Sequence, residues 1–139
     1  MLQGWGCAIT SCEISPALDV VGLGTTDGRV ILHNLRFDQS ITTFKHAAGT
    51  SITAISFRRD QQEPTVVAAD ATGVISVWDL EHQKLKSVIK DAHDGSVTTL
   101  HFFPGEPVLL SVGRDNCVKV CFSRHQVGLR TNSSLDVIS

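Results

Sequence analysis

Residues 52 to 79 read ITAISFRRDQQEPTVVAADATGVISVWD, and the punctuation of this stretch decides the fold. Three short segments, Ile52–Phe57, Val66–Ala69 and Gly73–Asp79, are apolar or alternate, and spacers bearing charge, proline or glycine part them. Alternation at period two marks a half-buried strand, whereas a short continuous apolar run suits a strand covered on both faces. Thr72-Gly73 is a hairpin signal, because glycine accepts the positive φ of a tight turn. Pro64 falls between strands, where no ladder donor is lost.

Working outward, the same phrases recur on both sides. Ile9–Ile14 (ITSCEI) and Val97–Phe102 (VTTLHF) match Ile52–Phe57 at spacings of 43 and 45 residues. Gly28–Asn34 and Asn116–Phe122 match Gly73–Asp79 at 45 and 43. Between each pair lies an apolar run, Val20–Leu23, Val66–Ala69 or Val108–Leu110, and Ser40–Phe44 and Lys86–Ile89 follow as polar, half-exposed outer strands. Asp27-Gly28 repeats the hairpin signal, and Pro16, Pro104 and Pro107 also sit between strands. No segment sustains helical periodicity over about ten residues. The class is therefore all-β, with three four-stranded antiparallel units. A unit of about 43 residues lies near the size below which a core alone rarely suffices, and both of its faces are apolar. Neighbouring sheets fanned around an axis bury those faces, which is the logic of a β-propeller.

Composition sets the outer limits. With 139 residues, 42% hydrophobic and 19% charged, the chain has the profile of a soluble globular domain or part of one. A net charge of −2 argues against free-standing nucleic-acid binding, so any RNA contact is expected to be local or shared. No apolar run approaches the ~20 residues of a membrane span, and Met1–Thr10 lacks the features of a signal peptide. The expectation is an intracellular protein with reduced thiols at Cys7, Cys12, Cys117 and Cys121. Cys117 and Cys121, four apart on a strand, hold their sulfurs roughly 13 Å apart, too far for a shared zinc ion. Neither a metal nor a cofactor is expected.

Trp78-Asp79 closes the third strand of the middle repeat, and His93 stands four residues before Val97. These features resemble the WD40-repeat family. The resemblance implies a buried network of His, Ser or Thr, Asp and Trp in each blade. His93, Ser111 and Asp115 occupy three of those places in the last repeat, with Cys121 where the Trp would stand. In the middle repeat Ala68 and Thr72 replace the Ser and Asp. In the first, Leu23 and His33 replace the Ser and Trp, although Asp27 is retained. The first two blades are thus expected to rest mainly on packing, with Trp78 and Asp79 as structural residues. A Ser, a His and an Asp that meet also suggest a nucleophile and its base. Ser111, however, lies within an apolar strand with no elbow to expose it, so the chain is read as non-catalytic and the trio as a turn brace. The family's rim loops would place Ser51, Asp70, Asp94 and Arg114 toward partners. Arg58-Arg59, Lys84 with Lys86, and Arg124 with Arg130 are read as solvated edges, offset by Asp60, Glu81 and Asp91, and Trp5 as packing.

Trp5-Gly6, Ser15–Val21, Val30–Leu35, Ser51–Arg58, Gly73–Glu81 and Gly113–Val120 look like the tandem-propeller WD-repeat subunits of the small-subunit processome, over about Gly4 to Phe122. That likeness implies an architectural, UTP-B-type role in small-subunit pre-ribosomal RNA processing, in the nucleus and nucleolus. The implied partners are other WD40 proteins, with indirect or shared contact to pre-ribosomal and small nucleolar RNA. A generic WD40 peptide-binding adaptor is the alternative. Residues 1–123 are expected to hold the three repeats, at about 5–46, 47–91 and 92–123, as an incomplete propeller, and 124–139 a non-repeat tail without a clear fourth strand. Members of that family are far longer, so the chain reads as a fragment, a truncated product or an alternative transcript. Self-association through open blades, two copies completing one ring, is a further expectation.

Overall fold

The computed structural model describes residues 6–46, 49–58, 64–103, 108–122 and 136–138. Three four-stranded sheets form among them. Blade 1 holds β1 (Ile9–Ile14), β2 (Val20–Thr25), β3 (Arg29–Asn34) and β4 (Gln39–Lys45). Blade 2 holds β5 (Ile52–Arg58), β6 (Thr65–Asp70), β7 (Ile75–Asp79) and β8 (Lys84–Ile89). Blade 3 holds β9 (Val97–Phe102), β10 (Val108–Gly113), β11 (Val118–Phe122) and β12 (Asp136–Ile138). Each apolar phrase of the sequence is a strand, and no helix occurs among the described residues, so none is long and apolar enough to cross a membrane.

Strand pairing runs antiparallel in sequence order within blades 1 and 2. Val21 faces His33, Val66 faces Trp78 and Leu109 faces Cys121, so the register is the same in all three blades. Blade 3 departs at its edge. β12 takes the fourth place and pairs with β11 in parallel, where the sequence showed no fourth strand. Its three residues carry no apolar phrase or turn signal of the repeat, which is why periodicity missed it.

The innermost strands β1, β5 and β9 lie side by side about the axis, and the core sits in the two seams between blades. In the first seam Val30, Leu32 and Phe44 of blade 1 pack on Ile52, Ile55, Phe57, Val66, Ala68 and Trp78 of blade 2. In the second, Val67, Ala69, Ile75 and Val77 meet Val97, Leu100, Phe102 and Leu109. Burying a large apolar side chain contributes about 1.5–3 kcal/mol, so the seams, not the isolated sheets, carry the stability. Gly22 and Gly24 explain how closely blade 1 approaches. A Cβ on Gly22 would stand 2.8 Å from the Phe57 ring, and one on Gly24 2.6 Å from the Ile52 side chain. Hydrogen bonds stitch the same seams. The Thr10 hydroxyl donates to the Ile52 carbonyl at 2.6 Å, and the Phe102 amide donates to the Ser56 hydroxyl at 3.2 Å.

β1 differs from its counterparts. It is exposed save the half-buried Ser11, whereas β5 is buried throughout save Thr53, because β5 lies against blade 1 and no described sheet lies on the other side of β1.

Candidate functional site at the blade rim

One rim is built three times over from the same parts. After the second strand of each blade the chain makes a tight turn, and the residue just beyond the strand donates its amide to the residue just before the first strand. These contacts run from Thr26 to Ala8 at 3.0 Å, Ala71 to Ser51 at 3.2 Å and Arg114 to Ser96 at 2.9 Å. Thr26, Ala71 and Arg114 therefore hold equivalent, exposed places on the rim. Next comes the positive-φ position, Gly28 (84°), Gly73 (92°) or Asn116 (64°).

The segment linking one blade to the next docks on that turn. His46 donates its backbone amide to the Gly28 carbonyl at 2.8 Å, and His93 donates to the Gly73 carbonyl at 3.3 Å. Each histidine thus holds the preceding blade by its backbone and its own blade by its ring. The His93 Nδ1 lies 3.0 Å from Asp115 Oδ1, and Nε2 lies 2.8 Å from the Ser111 hydroxyl. The network assigns an Nδ1–H that donates to the carboxylate and an Nε2 that accepts from Ser111. Asp115 also accepts from the Asp94 amide at 2.8 Å and the Cys117 amide at 3.1 Å. Burial works to raise the Asp115 pKa, but the two amides and His93 overcome it and lower it to about 2.

Blade 2 was expected to rest on packing, and here the structure corrects the sequence reading. The ring of His46 donates through Nε2 to Asp70 Oδ2 at 3.0 Å, with both side chains fully buried. Thr50 adds a hydroxyl at 2.5 Å, and Asp70 Oδ1 accepts from the amides of Thr72 and Val74 and from the Thr72 hydroxyl at 2.8–3.0 Å. Asp70, placed by sequence among the partner-facing residues, is therefore a core carboxylate that no partner reaches. Burial pushes it up, and these donors bring it below the ordinary carboxyl value. Burial likewise lowers His46, partly opposed by Asp70.

In blade 1 the carboxylate sits in the turn again. Asp27 accepts from the Thr25 hydroxyl, from Arg29 Nε at 2.9 Å and from the Cys7 thiol at 3.4 Å. The Thr25 and Arg29 contacts, in that order, are the main forces that lower it to about 2. Thr25-x-Asp27 in blade 1 and Asp70-x-Thr72 in blade 2 are thus the same pair with the two residues exchanged. Gly113-x-Asp115 completes the series. A Cβ on Gly113 would stand 2.4 Å from His93 Nδ1, which is why the carboxylate of blade 3 comes from the turn.

The remaining sequence-derived residues fall elsewhere. Trp78 is buried and stacks on Phe44 with ring centroids 5.2 Å apart, sealing the first seam beside His46. Asp79 lies on the opposite rim and caps the turn before β8 by accepting from the Glu81 amide and from His82 Nδ1. Ser51 is half-buried, while Asp94 and Arg114 are exposed. Arg58 is buried, not a solvated edge. Trp5, Arg59, Asp60, Arg124 and Arg130 lie outside the described residues, as does the Cys121 side chain. Ser111 is 1% exposed and His93 4%, so neither presents an atom to a substrate. What the arrangement does is brace turns and lock consecutive blades.

The family model for the WDR36/Utp21 first beta-propeller matches residues 1–123. The chain belongs to this family. Among relatives of the WDR36/Utp21 group, human WD repeat-containing protein 36 is 38% identical over 117 residues, covering 84% of this chain and 13% of that protein. The U3 small nucleolar RNA-associated protein 21 homolog of Schizosaccharomyces pombe is 34% identical over 115 residues, covering 83% of the chain and 12% of its own length. The chain thus spans about an eighth of these WDR36/Utp21 proteins. The crystal structure of the RRP9 WD40 repeats superposes with a TM-score of 0.82 at 17% identity, over 94% of this chain and 39% of that one. That likeness concerns the fold alone.

His46 and Cys7 are the rim residues that sequence reasoning missed. His46 carries a detectable signal, since it precedes Ile52 much as His93 precedes Val97. Asp115→Ala is expected to destabilise the chain by about 1–3 kcal/mol, the cost of leaving buried donors unpaired. Urea unfolding checks this, and an unchanged midpoint would mean that the network does not hold blade 3.

Proposed function

We propose that this chain is a non-catalytic interaction segment of a small-subunit processome scaffold, acting in pre-ribosomal RNA processing within the nucleolus. The observation that carries the reading is the family match across residues 1–123, supported by relatives named for association with the U3 small nucleolar RNA. The geometry is in keeping with it. In the Ser–His–Asp chain Ser111 and His93 are buried and Asp115 is half-buried and braced, and the surface they support is a rim of exposed, chemically varied positions at Thr26, Ala71, Asp94 and Arg114. Other WD40 proteins of the same complex are the partners this surface suits. RNA contact is shared with them, because the chain has a net charge of −2. The exposed inner strand β1 also offers a second copy an unfilled place beside it.

The test is affinity purification of the tagged chain from nuclear extract, with nucleolar imaging and depletion. The expected result is nucleolar recovery with other propeller proteins and the U3 small nucleolar RNA, and accumulation of unprocessed small-subunit precursor on depletion. Cytoplasmic recovery without pre-ribosomal RNA would overturn the reading. A second reading, a peptide-binding adaptor outside ribosome assembly, is favoured by the exposed rim alone. It predicts capture of a protein partner that survives nuclease and high salt without any precursor defect.

A further inference from the structure

The fourth place of blade 3 is filled differently from the same place in its neighbours. β4 and β8, seven and six residues long, run antiparallel along β3 and β7. β12 is three residues long and runs parallel to β11, opposite Lys119, Val120 and Cys121. A parallel ladder is slightly weaker per residue than an antiparallel one, so this short occupant holds its edge less firmly than β4 or β8 holds its own.

The other two blades show what the place is shaped for. Phe44 stands opposite Val30 and Ile89 opposite Ile75, and both pack on the seam cores. Val30 and Ile75 are accordingly 0% and 1% exposed. Val118 holds the same position in β11 and is only half-buried. One residue along, Thr43 lies opposite Ile31 and Val88 opposite Ser76, and next to these Thr42 lies opposite Leu32 and Ser87 opposite Val77. The corresponding residues of β11 are Lys119 and Val120. Lys119 carries a charge where the other blades have none, and its contact with the Asp91 carbonyl at 3.4 Å uses one of three donors. It therefore favours an acidic residue opposite, since unlike charges stabilise a cross-strand pair.

We infer that the β11 edge is a docking site for an extended segment of a partner protein, which displaces β12 and adds an antiparallel strand. Its residues are a hydroxyl, an acid and a large apolar side chain in that order, opposite Val120, Lys119 and Val118. Main-chain pairing supplies the affinity of such strand addition, and the alternate side chains supply the choice of partner. The inference uses only this edge and its two counterparts, so it stands apart from the processome reading.

Isothermal titration with the peptide acetyl-Gln-Ser-Ile-Thr-Asp-Phe-Lys-amide tests it, this being the β4 sequence with aspartate in the place of Thr43. The proteins are the unaltered 139-residue chain and Val137→Pro, which breaks β12 at its centre. The expected result is saturable one-to-one binding, about tenfold tighter to Val137→Pro because the competing strand is gone. Lysine in place of the aspartate should weaken binding about threefold, and Lys119→Glu should reverse that order. A peptide N-methylated at its threonine and aspartate keeps every side chain, but one of two adjacent amides must face β11, so it should not bind. No saturable binding, equal affinity for the two proteins, undiminished binding of the methylated peptide, or an aspartate preference that survives Lys119→Glu would each overturn the proposal. Dimerisation of Val137→Pro in sedimentation, in place of peptide uptake, would assign the edge to a second copy and overturn it as well. Should Val137→Pro fail to fold, the parent and methylated peptides on the unaltered chain still decide.

Discussion

Replacing Asp70 with Ala is expected to cost about 3–5 kcal/mol, the range for breaking a fully buried, hydrogen-bonded pair. A single-domain protein has only about 5–15 kcal/mol in hand, so the variant should be near the edge of folding. The carboxylate holds five donors at once: the His46 ring, the Thr50 and Thr72 hydroxyls, and the Thr72 and Val74 amides. Alanine leaves all of them without an acceptor, in a place where no water replaces it without opening the seam. Circular dichroism against urea measures the loss, and a shift under about 1 kcal/mol, less than an orphaned buried group costs, would show that packing alone holds blade 2. The pair also sets a pH response. His46 in the fold lies below the ordinary imidazole value, so below about pH 6.5 the unfolded chain takes up a proton that the fold refuses, and stability falls. Asp70 and Asp115 lie below the ordinary carboxyl value. Their stabilisation is complete above about pH 4 and is lost as the pH drops toward the folded values, about 2 for Asp115. The thermal midpoint should therefore decline in two stages, and His46→Gln should remove the first.

Gly73→Ala is expected to cost about 2–5 kcal/mol, adding the left-handed penalty for a residue with a Cβ, about 1–2 kcal/mol, to overpacking of about 1–3. The Cβ would stand 1.9 Å from the His93 carbonyl oxygen, at a φ of 92°. Backbone cannot rotate aside as a side chain can, so the linker to blade 3 would have to lift and the His93 amide would lose the Gly73 carbonyl. Gly49→Ala is the matched control. Its φ is 66° and nothing lies within 4 Å of the added carbon, so only the conformational penalty remains. Thermal unfolding of the two variants separates the terms, and equal losses would mean that the linker does not bear on the turn.

Much of this was legible in the sequence, and the reasons are physical. A sheet repeated around an axis must present the same apolar faces each time, so ITAISF, ITSCEI and VTTLHF could be matched by period alone, and each is a strand. His93, Ser111 and Asp115 were legible as a group because their spacing fits the WD40 pattern. Asp70 was not, since alignment put Thr72 in the acid's place and only side-chain geometry reveals that the acid stands two residues earlier. β12 was hidden because a three-residue parallel edge has no alternation to detect. The exposure of β1, by contrast, follows from the incomplete propeller expected of three repeats, whose first blade has an uncovered face.

The exchange of Thr25-x-Asp27 for Asp70-x-Thr72 bears on how such repeats are counted. A search that demands an acid at one fixed column overlooks a blade whose carboxylate has migrated along the strand, and would score the middle unit as degenerate. Chemically it is the best-furnished of the three. Ancestral wear and functional replacement look alike to a pattern, and they part company only when one asks which donors still find an oxygen.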